Sequence, residues 1–175
     1  HQNGLTTRAY ILENPDDSLG VNNRVQLARA TKLLQERINE AWMMNGVTMQ
    51  DPDTIFIEDE VQIEQDVFLE GNIHLVGNTL IKHDAVIEAD SRITNSTIGE
   101  YVCVKQSVIK DATVGAHTTI GPFAQLRPGA NLGEHVKVGN FVEVKNSTVQ
   151  DESKISHHTY IGDTDMGKRV NVGCG

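Results

Sequence analysis

The sequence predicts a mainly β fold, a parallel β-helix of about seven three-sided coils, preceded by one long α-helix. Three observations carry that prediction. From Ile57 to Val172 an aliphatic residue or Met recurs twenty-one times, with fifteen steps of six residues and five of five. A small or β-branched residue, such as Val61, Val67, Ala85, Ala124 or Val136, commonly stands two places earlier. Residues 22–45 instead place Leu27, Thr31, Leu34, Ile38 and Ala41 or Trp42 at helical spacing.

A period of six fits neither a helix at 3.6 residues nor a long strand at two, so each hexad must be a short strand and a turn. Three strands close a triangle with the aliphatic residue inward, and stacking the triangles buries a continuous column of apolar side chains. Equivalent positions then recur about one coil apart as ladders. Gly follows many of the aliphatic residues (Gly99, Gly115, Gly121, Gly133, Gly139) and is expected to relieve the corners. The strands start near residue 52, within a domain over residues 47–175.

Asn22 or Asn23 can cap the helix, Asn45-Gly46 can stop it, and the whole connector spans residues 22–46. Upstream, Arg8–Glu13 resembles a strand and Asn14–Ser18 a polar loop. These cannot form a core alone, so residues 1–21 are expected to be the tail of a preceding domain. The chain begins at His1 and stops at Cys174-Gly175 within the running pattern, so a segment of a longer protein is expected.

Charge narrows the function. With 24 acidic against 15 basic residues and a net charge of −9, general binding to nucleic acid or an anionic membrane is excluded, because both need a positive field. No apolar run is long enough to span a bilayer. The two cysteines, Cys103 and Cys174, make no disulfide framework, which favours a reducing, cytoplasmic setting.

Counting hexads brings Arg127, Lys145 and Tyr160 to one edge on successive coils. Two cations and a phenol there make a seat for a phosphate, since charge-assisted hydrogen bonds to it are strong and directional. The alternative is that both cations balance neighbouring carboxylates at solvated corners. His157 leads into the same edge and is a candidate general base, or else an exposed turn imidazole. Glu143, one coil below, is a candidate to orient that imidazole, or is a surface carboxylate. Alternation along a short strand turns His158 away from the site. Asn171 is expected one coil above, in the column of Ile155. His117 and His135 share a column, as a structural ladder or a metal bridge without a visible third ligand. Cys174 reads as a packing residue, there being no base beside it.

The hexads are similar to those of the hexapeptide-repeat acyltransferases, which implies a left-handed β-helix. Gly20-Val-Asn-Asn-Arg24, Gly121–Gly129, Gly139–Lys145, His157–Asp163 and Asn171–Gly175 together resemble the bacterial family of bifunctional N-acetylglucosamine-1-phosphate uridyltransferase/glucosamine-1-phosphate acetyltransferases. The resemblance covers nearly the whole chain. It implies a uridyltransferase remnant over residues 1–21, a linker helix over 22–46 and an acetyltransferase β-helix over 47–175, truncated at its C-terminus and homotrimeric. Implied substrates are glucosamine 1-phosphate, acetyl-CoA and UTP, the last used with Mg²⁺ to form UDP-N-acetylglucosamine for the cell envelope. Implied roles are a base for His157, sugar-phosphate binding for Arg127, Lys145, Tyr160 and Asn171, acetyl-CoA contact for Cys174, and a metal and UTP contact for Asn22. Two residues depart from the family pattern: His158 stands where Leu is usual, and Cys174 where Ala is usual. The rivals are another hexapeptide-repeat acyltransferase and a non-catalytic structural β-helix.

Overall fold

The structure, a computed structural model, describes residues 10, 11 and 18–174. The chain divides into two units, His1–Leu34 and Gln35–Gly175. Apart from Tyr10, Ile11 and Ser18, the expected N-terminal strand and loop, and most of the expected domain remnant, lie outside the described residues.

One helix, α1 (Arg24–Met44), forms where the helical spacing predicts it. Asn23 Oδ1 caps it by accepting the Gln26 N–H at 2.9 Å, and the Gln26 side chain reaches back to the Asn22 N–H at 2.7 Å. This is a capping-box exchange displaced by one residue. Gly46 closes the other end with φ of 97°, a conformation open to Gly without a Cβ clash. The apolar stripe is not as expected. Leu27 and Leu34 are exposed, whereas Asn39 is buried and Ile38 and Trp42 pack against the β core.

From Thr48–Met49 to Asn171–Val172 the chain winds as a parallel solenoid of about seven coils with three faces. The first face begins at Thr48–Met49, the second at Ile55–Ile57 and the third at Gln62–Ile63. Pairing is parallel throughout, each strand matching the one a coil later, from Cys103↔Thr119 to Thr48↔Phe68 in span. The only helical turn after α1 among the described residues is the short 3-10 segment Pro52–Thr54. Of the twenty-one periodic residues, twenty are buried, and Val172 at the end of the series is partly buried. Each fully buried Ile or Leu contributes roughly 1.5–3 kcal/mol, so the ladder supplies a core without aromatic residues.

The small position two places before the aliphatic residue is also filled by buried Thr79, Ser91, Ser96, Ser107, Thr118, Ser147 and Ser153. Their hydroxyls are not orphaned. Ser96, Ser107 and Thr118, for example, accept the N–H of Ala112, Ala124 and Val136 on the next coil, each at 3.1 Å.

The corners differ from expectation. Left-handed φ falls three residues before the aliphatic position, at Asp66, Tyr101, His117, Phe123, Phe141 and His158 among others, and not at most of the following glycines. Gly115 shows what those glycines do: a Cβ there would meet the backbone of Gly133 on the next coil. They permit close stacking of coils.

Two strands, Lys137–Lys145 and Lys154–Gly162, run nine residues each around the corner between the first and second faces. They join both faces into one thirteen-stranded sheet, beside the seven-stranded sheet of the third face. Every candidate residue from Glu143 to Tyr160 lies on this pair.

Candidate active site

Register decides which side chains meet. Gln125, Glu143 and Tyr160 are aligned on successive coils, and Lys145 is aligned with Gly162. The Arg127 N–H donates to the Val144 carbonyl at 2.8 Å, which sets Arg127 level with Lys145. Tyr160 therefore belongs to the column of Glu143, two residues short of the cation column. Its ring closes the gap, because a Cβ on Gly162 would collide with the Tyr160 phenol. The phenol thus folds over Gly162, above Lys145, and the four side chains converge on the outer side of the second face.

Arg127 Nη1 donates to Glu143 Oε1 at 2.6 Å. That hydrogen bond raises the Arg127 pKa above its ordinary value; desolvation opposes it, and attraction to Glu143 and the proximity of Tyr160 add to it. Lys145 Nζ lies 3.8 Å from Asp163 Oδ2. Both cations already have carboxylate partners, so the site is a charge-balanced cluster rather than a positive patch. One Nη1–H of Arg127 is engaged; the rest of its five-donor fork is available to a planar or tetrahedral anion. Asp163, missed in the sequence, also accepts from Asn146 Nδ2 at 2.6 Å, in a corner ladder that the spacing could have shown.

The structure shows no hydrogen bond between Glu143 and His157. The hydrogen bond of Glu143 goes to Arg127, and the residue paired with His157 on the coil below is Asn140. Coils here are seventeen residues long at this column, and a strict eighteen-residue count misses that neighbour. His157 is exposed, one corner away from Tyr160. His158 is not turned to the opposite face: it occupies the corner at φ 46°, so strand alternation does not apply to it. Its ring meets that of His157 edge-to-face, with centroids 6.0 Å apart and planes at 89°.

Asn171 pairs with Lys154, not Ile155, and stands exposed at the far end of the first face beside Glu152, Arg169 and Val170. The fold does not bring it into the Arg127–Tyr160 cluster. Cys174 is exposed, with Sγ 3.9 Å from the His158 carbonyl oxygen. Asn22 lies in the other unit, at the mouth of α1. Among the described residues no group of three or more His, Cys, Asp or Glu could hold a metal ion. His117 and His135 stack at 4.7 Å, with Tyr101 stacked on His117 at 4.9 Å, as a structural ladder. No helix among the described residues is long and apolar enough to cross a membrane.

Fold and repeat together define a hexapeptide-repeat β-helix, and the family profile described as bacterial transferase hexapeptide (six repeats) matches residues 111–146. Beyond that repeat the chain is homologous to part of the bifunctional protein GlmU. It is 45% identical over 172 residues to GlmU of Enterococcus faecalis, covering 98% of this chain and 38% of that protein. To GlmU of Staphylococcus epidermidis it is 49% identical over 174 residues, covering 99% and 39%. The chain thus spans about two-fifths of the curated relatives it matches. In solved structures the fold is similar to the acetyltransferase domain of PglB from Neisseria gonorrhoeae in complex with acetyl coenzyme A, with TM-score 0.56 at 12% identity over 72% of this chain and 63% of that one. It is also similar to the product of the BC4754 gene of Bacillus cereus, with TM-score 0.55 at 18% identity over 71% and 80%.

Proposed function

We propose that this chain carries the acetyltransferase part of a bifunctional, homotrimeric cytoplasmic enzyme and moves an acetyl group from acetyl-CoA to the 2-amino group of glucosamine 1-phosphate. The observation that carries the reading is the convergence of Arg127, Lys145 and Tyr160 on one outer surface, one corner from His157. Homology to GlmU and the acetyl-CoA complex of the PglB domain support it.

Arg127 and Lys145 hold the sugar phosphate. Glu143 fixes one edge of the guanidinium, so the remaining N–H groups are presented in a set direction. Tyr160 closes the seat from above and Cys174 lies against the coenzyme. His157 takes the proton from the 2-amino nitrogen as its lone pair forms the C–N bond and the C–S bond of the thioester breaks; the departing thiolate receives a proton in turn. Asn22 contributes to UTP and Mg²⁺ binding in the uridyltransferase part of the whole protein, which supplies UDP-N-acetylglucosamine for the cell envelope. Among the described residues Asn22 belongs to no group of three or more His, Cys, Asp or Glu that could hold a metal ion, so no step of the mechanism is assigned to the metal.

The Arg127–Glu143 and Lys145–Asp163 pairs favour one rival, a structural β-helix whose cations are struts between coils. Thermal-shift titration separates the readings. Glucosamine 1-phosphate should raise the unfolding temperature, and glucosamine or serine should not. A response to glucosamine alone, to serine, or to none of the three would overturn the assignment.

A further inference from the structure

His158 is the second histidine of a corner where the sequence pointed to one. Phe123, Phe141 and His158 occupy the same left-handed position on three successive coils, with φ of 57°, 55° and 46°. Their rings form a continuous stack. Phe123 and Phe141 are 5.4 Å apart at 15°, and Phe141 and His158 are 5.0 Å apart at 22°. Stacking on the neighbouring coil restricts rotation of the His158 ring. The edge-to-face contact at 6.0 Å and 89° then passes that restraint to His157.

His157 needs such a restraint. It is exposed, its partner on the coil below is Asn140, and Glu143 is committed to Arg127. A general base must point its nitrogen at the proton it removes, and loss of that aim reduces rate more than affinity. Nothing else in the corner turns a face or an edge toward the His157 ring among the described aromatic residues.

We infer that His158, held by Phe141 and Phe123, is a positioning residue that sets the orientation of the His157 imidazole. This rests on the reading of His157 as the base in acetyl transfer. The contact is one of ring against ring, so the imidazole of His158 acts as a plane and not as an acid or base.

The test uses variants His158→Ala, His158→Phe and Phe141→Ala. In acetyl transfer by the full-length enzyme, His158→Ala should lower kcat about tenfold, leaving KM for glucosamine 1-phosphate unchanged. His158→Phe should restore kcat to within about twofold of the parent, and Phe141→Ala should act like His158→Ala without adding to it. In parallel, NMR of the 175-residue chain reads the ring-current shift on the His157 Cε1 proton. That shift should be lost in His158→Ala and kept in His158→Phe, whatever the chain catalyses. If His157→Ala is inactive while His158→Ala and Phe141→Ala are silent, the positioning role is overturned and the function stands. If His158→Phe is as slow as His158→Ala, the imidazole itself is required and the role as a plane is overturned. If the enzyme has no acetyl-transfer activity, the functional reading fails, and the NMR shift alone decides whether the two rings are coupled.

Discussion

Asn39 Nδ2 donates to the Ile55 carbonyl oxygen at 2.9 Å and to that of Pro52 at 2.8 Å, from a side chain only 1% exposed. Ile55 and Ile57 are in register with Ile73 and Leu75 of the second coil, but alternation along the strand points their carbonyls the other way, and it is the Glu58 N–H that reaches the Leu75 carbonyl. Their carbonyls would be unpaired without α1. Asn39 serves one, and Gln35 Nε2 reaches the Ile57 oxygen at 3.4 Å while also donating to Asn39 Oδ1 at 3.1 Å. The helix therefore caps the first coil with amides as well as with Ile38 and Trp42. Asn39→Leu leaves buried carbonyls without donors and should destabilise the chain by about 1–3 kcal/mol per unsatisfied group. Urea unfolding should show a lower midpoint at unchanged slope; an unaltered midpoint would remove the capping role.

The solenoid was legible because an inward aliphatic residue has one place to go, and a missed hexad would expose the whole column. The site was less legible because coils are not uniform. Five-residue steps between Ile93 and Val114, at Val149 and at Met166 change coil length, so a count in hexads leaves the phase within a strand open. That is why Asn171 lands beside Lys154 and why Asn140 was not seen as the neighbour of His157. Corners were misread for another reason. The left-handed position accepts Asp, Asn, His, Phe, Tyr, Gln, Glu or Arg here, although it is costly for such residues in isolation, because coils above and below hold it in place. Asn39 was hidden because a buried amide interrupts the apolar stripe that helical spacing seeks.

His74 should make the chain less stable in acid. Its ring is partly buried and stacked on Phe56 at 4.9 Å and 11°, and Arg92 is paired with it on the next coil. Burial first, and then the charge of Arg92, lower its pKa below the ordinary value. Protonation is therefore harder in the folded than in the unfolded chain, and the unfolded chain binds more protons as pH falls. This contribution is complete above the unfolded value of about 6.5 and is lost as pH drops through the folded value. His83 has the opposite sign: its hydrogen bond with Asp84 raises its pKa, so its contribution is complete below about 6.5 and lost as pH rises through the folded value. His74→Phe keeps the stack and removes the titration. Its advantage in Tm over the parent should widen on going from about pH 8 to about pH 5, and a constant difference across that range would exclude the effect.

Arg127 and Lys145 should appear in binding rather than in turnover. Each is within reach of a phosphate on the outer side of the second face, and neither touches the reacting nitrogen in the proposed mechanism. Arg127→Ala and Lys145→Ala should raise KM for glucosamine 1-phosphate about tenfold or more, in line with the loss of a charge-assisted hydrogen bond. Glu143→Gln retains an acceptor for Arg127 Nη1 but removes a charge that competes with the phosphate. It should change KM by only about two- to threefold, whereas Glu143→Ala frees the guanidinium and should approach the Arg127→Ala value. Equal effects of Gln and Ala at 143 would show that charge, not placement of the guanidinium, is what Glu143 supplies.

His157 carries the reaction step in this reading, and its removal should separate rate from affinity. An ammonium group at neutral pH has no lone pair with which to attack a thioester, so a base must act at the 2-amino nitrogen; general-base catalysis typically contributes 10²–10⁴-fold. His157 is one corner from Tyr160 and therefore near the proposed phosphate seat without being part of it. His157→Ala should lower kcat by about two orders of magnitude or more while KM for glucosamine 1-phosphate stays nearly constant, the pattern of an interaction made in the transition state only. His157→Asn preserves size and some hydrogen bonding but cannot take the proton, so it should be as slow as Ala. Added imidazole should restore part of the Ala rate by entering the vacated space, and should do less for Asn, whose side chain fills it. If both variants retain near-parental kcat, or if His158→Ala is the slower of the two histidine substitutions, the base lies elsewhere and the assignment of His157 falls while the solenoid and its phosphate seat remain.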